Sequence, residues 1–322
     1  MKLSTLKHLA IAASLVLVCH AALAQTWPAR PITVVAPFAA GGSADGLARL
    51  VARELGQALG QPVVVDNKPG AGGATGLMLV SKSTPDGYTI GMGATGAISI
   101  APHLPDAPPL NPDKQLHPLA KVADIPLVIV AGANAGFPTL QSLIAKARET
   151  DVPLANAGQY TAHHLSGELL AGTARARLTS VPYRGSTPAV TDMLGGQVPV
   201  AIVDLTSVAP HLKSGAIKAL AVTSATRTRL APEIPTVAEA GVSGYAAPAW
   251  MGLFAPKGLP AAVSDRLEKE LQAILAKPDI QQQILALAAE PSYLGGAQFA
   301  GFIDTESKRW ARVIASLPKP QK

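Results

Sequence analysis

Two glycine-rich segments, 37–45 and 69–76, have the composition of loops that bind small anions. Glycine lets backbone N–H groups approach a ligand closely, and a helix that begins after such a loop offers unpaired N–H donors and a partial positive charge. Each segment follows an apolar, β-branched run, so both loops are expected at the carboxyl ends of neighbouring strands, where open α/β sheets bind ligands. Together they predict a cradle for a carboxylate or phosphate. The alternative is two tight turns whose glycines serve steric needs alone.

Neither segment fits a nucleotide-binding fingerprint. The spacing Gly70-x-Gly72 would need a third glycine where Thr75 stands, and no acidic residue follows about 20 residues later. The sequence also contains no Gly-Lys-Ser/Thr phosphate loop and no G-x-S-x-G nucleophile elbow. It therefore predicts no cofactor and no activated serine nucleophile.

Candidate acid–base residues are scattered along the chain. Asp45, Asp66 and Asp204 each follow or end a strand-like run, and helix capping explains Asp45 almost as well as catalysis does. The adjacent pair His163 and His164 would point about 100° apart on a helix, so the two rings cannot chelate one metal ion together. With a single Cys in the chain and no His-Glu-x-x-His motif, the sequence predicts no metal site.

Apolar β-branched runs alternate with amphipathic stretches, a pattern typical of βα units around a mostly parallel sheet. The runs that predict strands are 32–36, 63–65, 88–92, 127–131, 154–156, 178–181, 200–203 and 219–222. Apolar residues at spacings of three and four predict a first long helix up to Leu59, capped by Ser43 or Asp45. The fold class is therefore α/β.

A chain of 322 residues is long enough for two domains, and no repeat or obvious linker separates them. We expect the chain to cross into a second domain near Ile125 and to return near Ser224. This predicts lobe one over 25–124 plus 225–322 and lobe two over 125–224, two interleaved α/β domains joined by two hinge strands. Two hinges suit the closure of one lobe onto the other around a ligand.

Local signals predict further elements. Six prolines within 101–118 predict a long loop. Thr236 and Glu239 have the spacing of a capping box, which predicts a short helix. The last 60 residues predict three helical segments, broken by Pro278 and Pro291.

The N-terminus has the pattern of a cleavable signal peptide over residues 1–24. Lys2 and Lys7 precede an apolar run of about ten residues, and the sequence Ala-Leu-Ala at 22–24 fits a cleavage site. The run is shorter than the roughly 20 residues that span a bilayer. The only cysteine, Cys19, lies within this segment, so the exported protein would begin at Gln25 without cysteine. We expect a soluble protein of the periplasm.

The formal net charge of +6 is mild for 322 residues and lacks the concentrated basic face of a nucleic-acid binder. Nucleic acid is therefore not an expected partner. A weakly basic chain is compatible with the collection of small anions.

Eight short motifs recur in a characteristic order and spacing. They are WPARPI (27–32), PFAAGGSAD (37–45), VDNKPGAGG (65–73), DGYT (86–89), VPYRGS (181–186), MLGGQV (193–198), LAVTS (220–224) and IPTVAEAG (234–241). In this set the chain resembles the Bug family, the extracytoplasmic solute receptors of tripartite tricarboxylate transporters. The resemblance covers essentially all of the chain after the leader.

The resemblance implies a two-lobed periplasmic-binding-protein fold that closes on a small organic acid, with waters often bridging the ligand carboxylate to the protein. It implies ligand contacts from Phe38, Ala40, Gly41, Gly42, Ser43, Ala71, Gly72, Gly73 and Thr95 in lobe one, and from Asn156, Gly158, His163, Gly185, Ser186 and Asp204 in lobe two. Asn156 departs from the serine that the family often has. Asp204 would accept from a ligand amine or hydroxyl, or would merely cap the next helix.

The implied function is a non-catalytic receptor, expected to be a monomer, that delivers its ligand to the membrane subunits of a tripartite tricarboxylate transporter. One alternative is that the liganded protein docks on a sensor protein instead. Another is an exported hydrolase that uses Asp45 or Asp204 with His163, and the absence of a nucleophile motif argues against it. The sequence does not identify the carboxylate, because the segments 95–100, 156–164 and 204–208 shape the distal part of the pocket.

Overall fold

A computed structural model describes residues 27–316, which form two mixed sheets flanked by helices. The strands are β1 Ile32–Ala36, β2 Val63–Asn67, β3 Thr89–Ala94, β4 Leu116–Ile125, β5 Leu127–Gly132, β6 Val152–Asn156, β7 Leu178–Pro182, β8 Val200–Asp204, β9 Ile217–Val222, β10 Ala249–Pro256 and β11 Glu290–Gly295. The helices are α1 Ser43–Leu59, α2 Ala74–Ser81, α3 Pro112–Gln115, α4 Leu140–Glu149, α5 Ala162–Ala174, α6 Ser186–Leu194, α7 Leu205–Lys213, α8 Ala261–Leu275, α9 Pro278–Ala286 and α10 Gly296–Ser316. The predicted signal peptide lies outside the described residues.

The first sheet has the strand order β11-β4-β10-β3-β1-β2 and the second the order β7-β6-β8-β5-β9. In the first sheet β1 runs parallel to β2 and β3, whereas β10 runs antiparallel to both β3 and β4. In the second sheet β6 runs parallel to β7 and β8, and β5 runs antiparallel to β8 and β9. Each sheet thus combines a parallel βα half with antiparallel strands at the place where the chain passes between the sheets.

Hydrophobic periodicity explains how α1 packs on the first sheet. Leu47, Val51 and Leu55 recur at spacings of four and are completely buried, so they form one apolar face. The helix ends at Gly60, which has a φ of +67° and donates its N–H to the Gly56 carbonyl. This packing fixes the start of α1 at the carboxyl end of β1.

The chain passes from the first sheet to the second at Pro126, between β4 and β5, and it returns through residues 223–248. The returning segment packs on the second half of the molecule. Thr236 forms a bridge with Val222, and the Tyr245 hydroxyl donates to the Ser166 carbonyl at 3.0 Å. The same segment also contacts the first sheet, because the Arg229 N–H donates to the Glu290 carboxylate of β11 at 3.0 Å. Just before β10 begins, the Ala247 N–H donates to the Thr223 carbonyl at 2.8 Å.

Three local predictions need correction. The Thr236–Glu239 capping box forms, with N–H to side-chain distances of 2.8 and 3.0 Å, but it supports a single turn and no regular helix. Pro291 lies within β11, an edge strand where a missing N–H is tolerated, so a strand separates the last two helices. The segment 101–118 includes α3 and the start of β4, and is therefore not one continuous loop.

Within residues 27–316, none of the helices combines the length and the apolar character that crossing a bilayer requires.

Candidate functional site

A cleft of about 900 Å³, including the part open to solvent, lies between the two sheets. Its walls are the segments that leave the carboxyl ends of β1, β2, β3, β6, β7 and β8, together with the residues where the chain changes sheets. This is the position that open α/β sheets use for ligands, and both lobes contribute to it.

The structure places ten of the fifteen predicted site residues around this cleft. They are Phe38, Ala40, Gly42, Ser43, Gly72, Thr95, His163, Gly185, Ser186 and Asp204. The other five, which are Gly41, Ala71, Gly73, Asn156 and Gly158, do not line the cavity.

Those five residues support the backbone of the loops on the side away from the cleft. The Gly41 N–H donates to Asp45 at 3.0 Å, and the Gly73 N–H donates to the Gly70 carbonyl at 2.9 Å. Asn156 is buried, donates to the Ser180 hydroxyl at 2.8 Å and accepts the Gly158 N–H at 3.0 Å. The Ala71 carbonyl accepts the Ala74 N–H. The polar groups of these five residues therefore hold the backbone that presents the cleft residues.

Asp204, at the end of β8, has hydrogen bonds to both sides of the cleft. His163 Nε2, on α5, lies 2.9 Å from its Oδ1, and the Ser43 hydroxyl, on α1, donates to its Oδ2 at 3.1 Å. The Asp204 N–H donates to the Ser186 hydroxyl at 3.2 Å. Asp204 thus connects β8 with α5 and α6 of the second lobe and with α1 of the first lobe.

This environment keeps Asp204 ionised. Burial favours the neutral acid, but the charge interaction with His163 and the hydrogen bonds from His163, Ser43 and Ser186 outweigh it, and the pKa of Asp204 is lowered. Because an ionised carboxylate only accepts hydrogen bonds, His163 Nε2 carries a proton. The other ring nitrogen, His163 Nδ1, is buried and has no hydrogen-bond partner within the described chain.

Several helices begin at the cleft, and two of them have glycine as the N-cap residue. Gly42 precedes α1 and Gly185 precedes α6, and neither has a side chain that could accept the first N–H groups of its helix. By contrast, the Thr161 side chain caps α5 by accepting the His164 N–H. The N-termini of α1 and α6 therefore provide hydrogen-bond donors and partial positive charge to the cavity.

Asp45, an acid–base candidate on α1, forms its hydrogen bonds outside the cleft. It accepts hydrogen bonds from the Gly41 N–H, Arg49 and Asn67 at 2.9–3.0 Å. Although burial opposes ionisation, these bonds lower the pKa of Asp45. Asp45 does not line the cleft, so Asp45 and Asp204 are not a pair of carboxylates in one site.

The geometry at Ser43 also differs from that of an activated serine. Its hydroxyl donates to the Asp204 carboxylate, and His163 Nε2 bonds the same carboxylate and not the serine, so the serine–histidine contact of an activated serine is not formed in this part of the chain. Among residues 27–316, no group of three or more His, Cys, Asp or Glu side chains is arranged to hold a metal ion.

The sequence interpretation missed the cleft residues at the crossings between the sheets. Ile125 and Leu127 flank Pro126, and Ala249, Trp250 and Met251 begin β10. Thr95 is held there by Trp250, whose N–H donates to the Thr95 hydroxyl at 2.7 Å. The available signal was the apolar run of β10, which could equally have been part of a buried helix.

Comparison with known proteins agrees with this architecture. The profile of the family described as "Tripartite tricarboxylate transporter family receptor" matches residues 47–318. The UPF0065 protein in the tcbD-tcbE intergenic region of Pseudomonas sp. strain P51 is 39% identical over 90% of this chain and 87% of its own length. Protein BugT of Bordetella pertussis is 37% identical over 90% of each chain.

Solved structures give the same result. The periplasmic binding protein BugD is 37% identical, with a TM-score of 0.82 over 90% of this chain and 98% of its own. Rpa4515 of R. palustris, solved with adipate, is 31% identical, with a TM-score of 0.84 over 90% and 98% of the two chains. MatC of Rhodopseudomonas palustris, solved with bound malate, is 30% identical, with a TM-score of 0.82 over 89% and 100%.

These likenesses confirm the predicted α/β fold with two lobes and the predicted relationship to the Bug proteins. The family match covers the cleft residues from Gly72 onwards, including the start of α6 at Gly185. The chain is therefore a solute-binding receptor that belongs to the tripartite tricarboxylate transporter receptor family, the family of the Bug proteins.

Proposed function

We propose that this receptor captures a small organic carboxylate in the cleft between its lobes and delivers it to the membrane subunits of a tripartite tricarboxylate transporter. The observation that carries the proposal is the pair of glycine-capped helix N-termini, at Gly42 and Gly185, that face one cavity from opposite lobes. Such helix ends bind carboxylates without requiring arginine. The bound adipate and malate of two structural neighbours are both carboxylates, which supports the same ligand class here.

In this proposal the 37–45 and 69–76 loops hold one carboxylate group, and lobe two closes over the rest of the ligand. The ten predicted residues that line the cleft are the proposed contacts, and the five residues behind them support the loops. A ligand that prefers the closed state by a few kcal/mol shifts the population towards it, and the transporter reads that shape.

We propose Pro126 as one hinge between the lobes. For the other we favour the pair Thr223 and Ala247 over Ser224 alone, because the Ala247 N–H donates to the Thr223 carbonyl and so joins the two ends of the returning segment. Residues 1–24 are proposed to direct the chain to the periplasm and to be removed there. The exported form is proposed to act as a monomer.

A ligand screen tests the binding step. Protein purified over residues 25–322 is unfolded, stripped of ligand, refolded and screened by thermal shift against mono-, di- and tricarboxylates, with adipate and malate included. A ligand at 100 times its dissociation constant adds about 2.7 kcal/mol of stability, which raises Tm by several degrees. No shift across the panel, in a protein that also carries no co-purified organic acid, would contradict the proposal.

A matched pair of variants locates the site. Gly42→Leu introduces a side chain into the cleft at a position where a Cβ meets nothing closer than 4.0 Å, so the loop itself is not strained. Gly301→Leu introduces the same side chain on α10, where no atom lies within 4 Å of a Cβ. We expect the first variant to lose binding by about tenfold or more and the second to keep it, since only the first side chain occupies the ligand's space.

Delivery is tested separately from binding. Uptake of the identified carboxylate by cells that lack the receptor should be restored by the wild-type protein and not by Gly42→Leu. If binding is confirmed but uptake is independent of the receptor, delivery to a transporter is wrong, and docking on a sensor protein becomes the function to examine.

A further inference from the structure

Two glycines of the first lobe lie directly against a turn of the second lobe. This turn, residues 157–161, leads from β6 into α5 and is named here the lobe-two turn. A Cβ added to Gly96 would lie 2.5 Å from the Tyr160 carbonyl oxygen and 2.9 Å from the Thr161 Cα. A Cβ added to Gly72 would lie 3.0 Å from the Gln159 carbonyl oxygen. The two distances at Gly96 are too short for a real side chain, and the distance at Gly72 is tighter than most real Cβ contacts.

The backbone conformation and the internal hydrogen bonds of the lobe-two turn make it rigid. Tyr160 has a φ of +65°, a left-handed conformation that a residue with a side chain adopts only when its surroundings hold it there. The Thr161 hydroxyl donates to the Gly158 carbonyl at 2.6 Å, and the Thr161 hydroxyl oxygen accepts the His164 N–H at 3.3 Å. The turn therefore cannot easily yield to an obstacle on the first lobe.

A hydrogen bond fastens the same turn to the first lobe. The Tyr160 hydroxyl donates to the Asp106 carbonyl at 2.9 Å, on the loop between β3 and β4. The turn is followed at once by α5, whose His163 lines the cleft. How closely the turn docks thus determines where His163 stands relative to the anion-binding loops.

The two glycines differ in what they require. Gly72 has a φ of +64°, so its backbone alone explains the residue type. Gly96 lies in a helical turn, Gly96–Ile100, and is not among the glycines with positive φ. Its backbone would accept alanine, and the three atoms nearest to an added Cβ all belong to Tyr160, Thr161 and Ala162. The missing side chain at 96 is explained by the approach of lobe two.

We propose that Gly96 is the positioning residue for lobe closure. Because it has no side chain, the lobe-two turn can dock directly against its backbone, and the hydrogen bond from the Tyr160 hydroxyl holds the docked turn in place. A side chain at position 96 holds the lobes apart and leaves the binding loops of lobe one intact. This inference rests on the proposed function, because closure matters only if the cleft encloses a ligand.

The test measures closure directly. Residues 25–322 contain no cysteine, so Gln57→Cys on α1 and Lys146→Cys on α4, both exposed, allow one spin label on each lobe. The distance between the labels is measured with and without adipate, malate and any ligand found by the screen. The protein that carries only these two labelled cysteines is the background protein, and each further variant is made in it. It is compared with Gly96→Ala, with Tyr160→Phe and with the matched control Gly301→Ala, whose added Cβ has no atom within 4 Å.

We expect the background protein and Gly301→Ala to share one closed distance with ligand. Gly96→Ala should keep a longer, broader distribution and bind about 5- to 100-fold more weakly, because overpacking by one methyl opposes docking. Tyr160→Phe should lose about two- to tenfold, because it removes one hydrogen bond. Unchanged affinity and unchanged distances in Gly96→Ala would overturn the inference.

The remaining outcomes are also decisive. If the background protein binds no carboxylate, the proposed function fails. The distance distributions of the unliganded proteins still test the role of Gly96, because identical distributions in Gly96→Ala and the background protein overturn it. If Gly96→Ala loses its far-ultraviolet circular dichroism signal, Tyr160→Phe carries the test, and unchanged binding and distances in that variant overturn the inference.

Discussion

The hydroxyl of Ser43 and the carboxylate of Asp204 are joined by a hydrogen bond of 3.1 Å across the cleft, although 161 positions separate them in the chain. Ser43 is the first residue of α1 in the first lobe, and Asp204 ends β8 in the second. The contact exists only while the lobes are together, so it contributes to closure and not to the stability of either lobe.

Ser43→Ala should therefore weaken ligand binding without destabilising the fold. Loss of one hydrogen bond costs about 0.5–1.5 kcal/mol, which corresponds to an affinity about 2- to 12-fold lower. Isothermal titration calorimetry measures it, with Ser83→Ala as the control, because the Ser83 hydroxyl bonds only to the Leu79 carbonyl within its own lobe. Equal losses in the two variants would show that the cross-cleft bond has no role.

The lowered pKa of Asp204 predicts how stability depends on pH. A carboxyl group whose pKa is lower in the folded than in the unfolded state contributes stability that is full above the unfolded value of about 3.9 and is lost as pH falls towards the folded value. The wild type should therefore exceed Asp204→Asn in free energy of unfolding at pH 7 and pH 5, and the difference should shrink below about pH 4. Urea unfolding at pH 7, 5 and 3 measures it, and a difference that is constant with pH would contradict the assignment.

Arg184 should distinguish ligands by their number of carboxylate groups. It is the one Lys or Arg among the described residues that line the cleft, and no described carboxylate lies within ion-pair distance of it. Because Arg184 is exposed, Arg184→Gln should lower the affinity for dicarboxylates only about two- to tenfold, and more at low salt, while monocarboxylates change less. Arg312→Gln, exposed on α10, is the control, and equal losses for both ligand classes would be evidence against contact with a second carboxylate.

Asp45 should support the first anion-binding loop without contacting the ligand. Asp45→Ala leaves the Gly41 N–H and the side chains of Arg49 and Asn67 without their shared acceptor, so we expect a loss of about 1–3 kcal/mol in the free energy of unfolding. Lys308→Ala, which breaks an exposed pair with Asp304, should lose less than about 1 kcal/mol. Urea unfolding compares the two, and similar values would contradict a supporting role for Asp45.

Local sequence patterns predicted the parallel halves of both sheets well. The first strand was expected at 32–36, and β1 has these bounds. Gly60, just beyond the predicted end of the first helix, does end α1. The predicted N-cap was wrong, because Gly42 caps the helix instead of Ser43 or Asp45. Strand and helix periodicity, with glycine as punctuation, are properties of neighbouring residues and can be recognised without tertiary contacts.

The antiparallel strands of the first sheet could not be predicted in the same way, although β5 and β9 of the second sheet were. β10 is buried at all eight positions, so its sequence shows no alternation, and β11 includes Pro291, which favours a break. What makes these segments strands is their pairing with β4, a contact between distant parts of the chain. The cleft residues at the start of β10 were missed for the same reason.

The site was predictable in its loops and not in its cross-lobe contacts. Gly42 was found because glycine-rich loops after strands have a local signature, whereas Gly185 was expected only from the family resemblance. The bond of Asp204 to Ser43 and the fit of Gly96 against Tyr160 depend on how the two lobes approach each other. No spacing in the sequence encodes that approach.

The order of strands in the first sheet has a consequence for the newly made chain. β10 lies between β3 and β4, yet it is synthesised more than 120 residues after β4 begins. Until β10 arrives, β3 has one unpaired edge and β4 has no partner strand, because β11 is made later still. Such unpaired edges recruit strands from other chains. The second sheet has all five of its strands within residues 127–222 and can be complete before β10 is made. The first lobe is thus vulnerable to aggregation during the interval in which its central strand is missing, and a chaperone that shields these edges would act on this half of the protein.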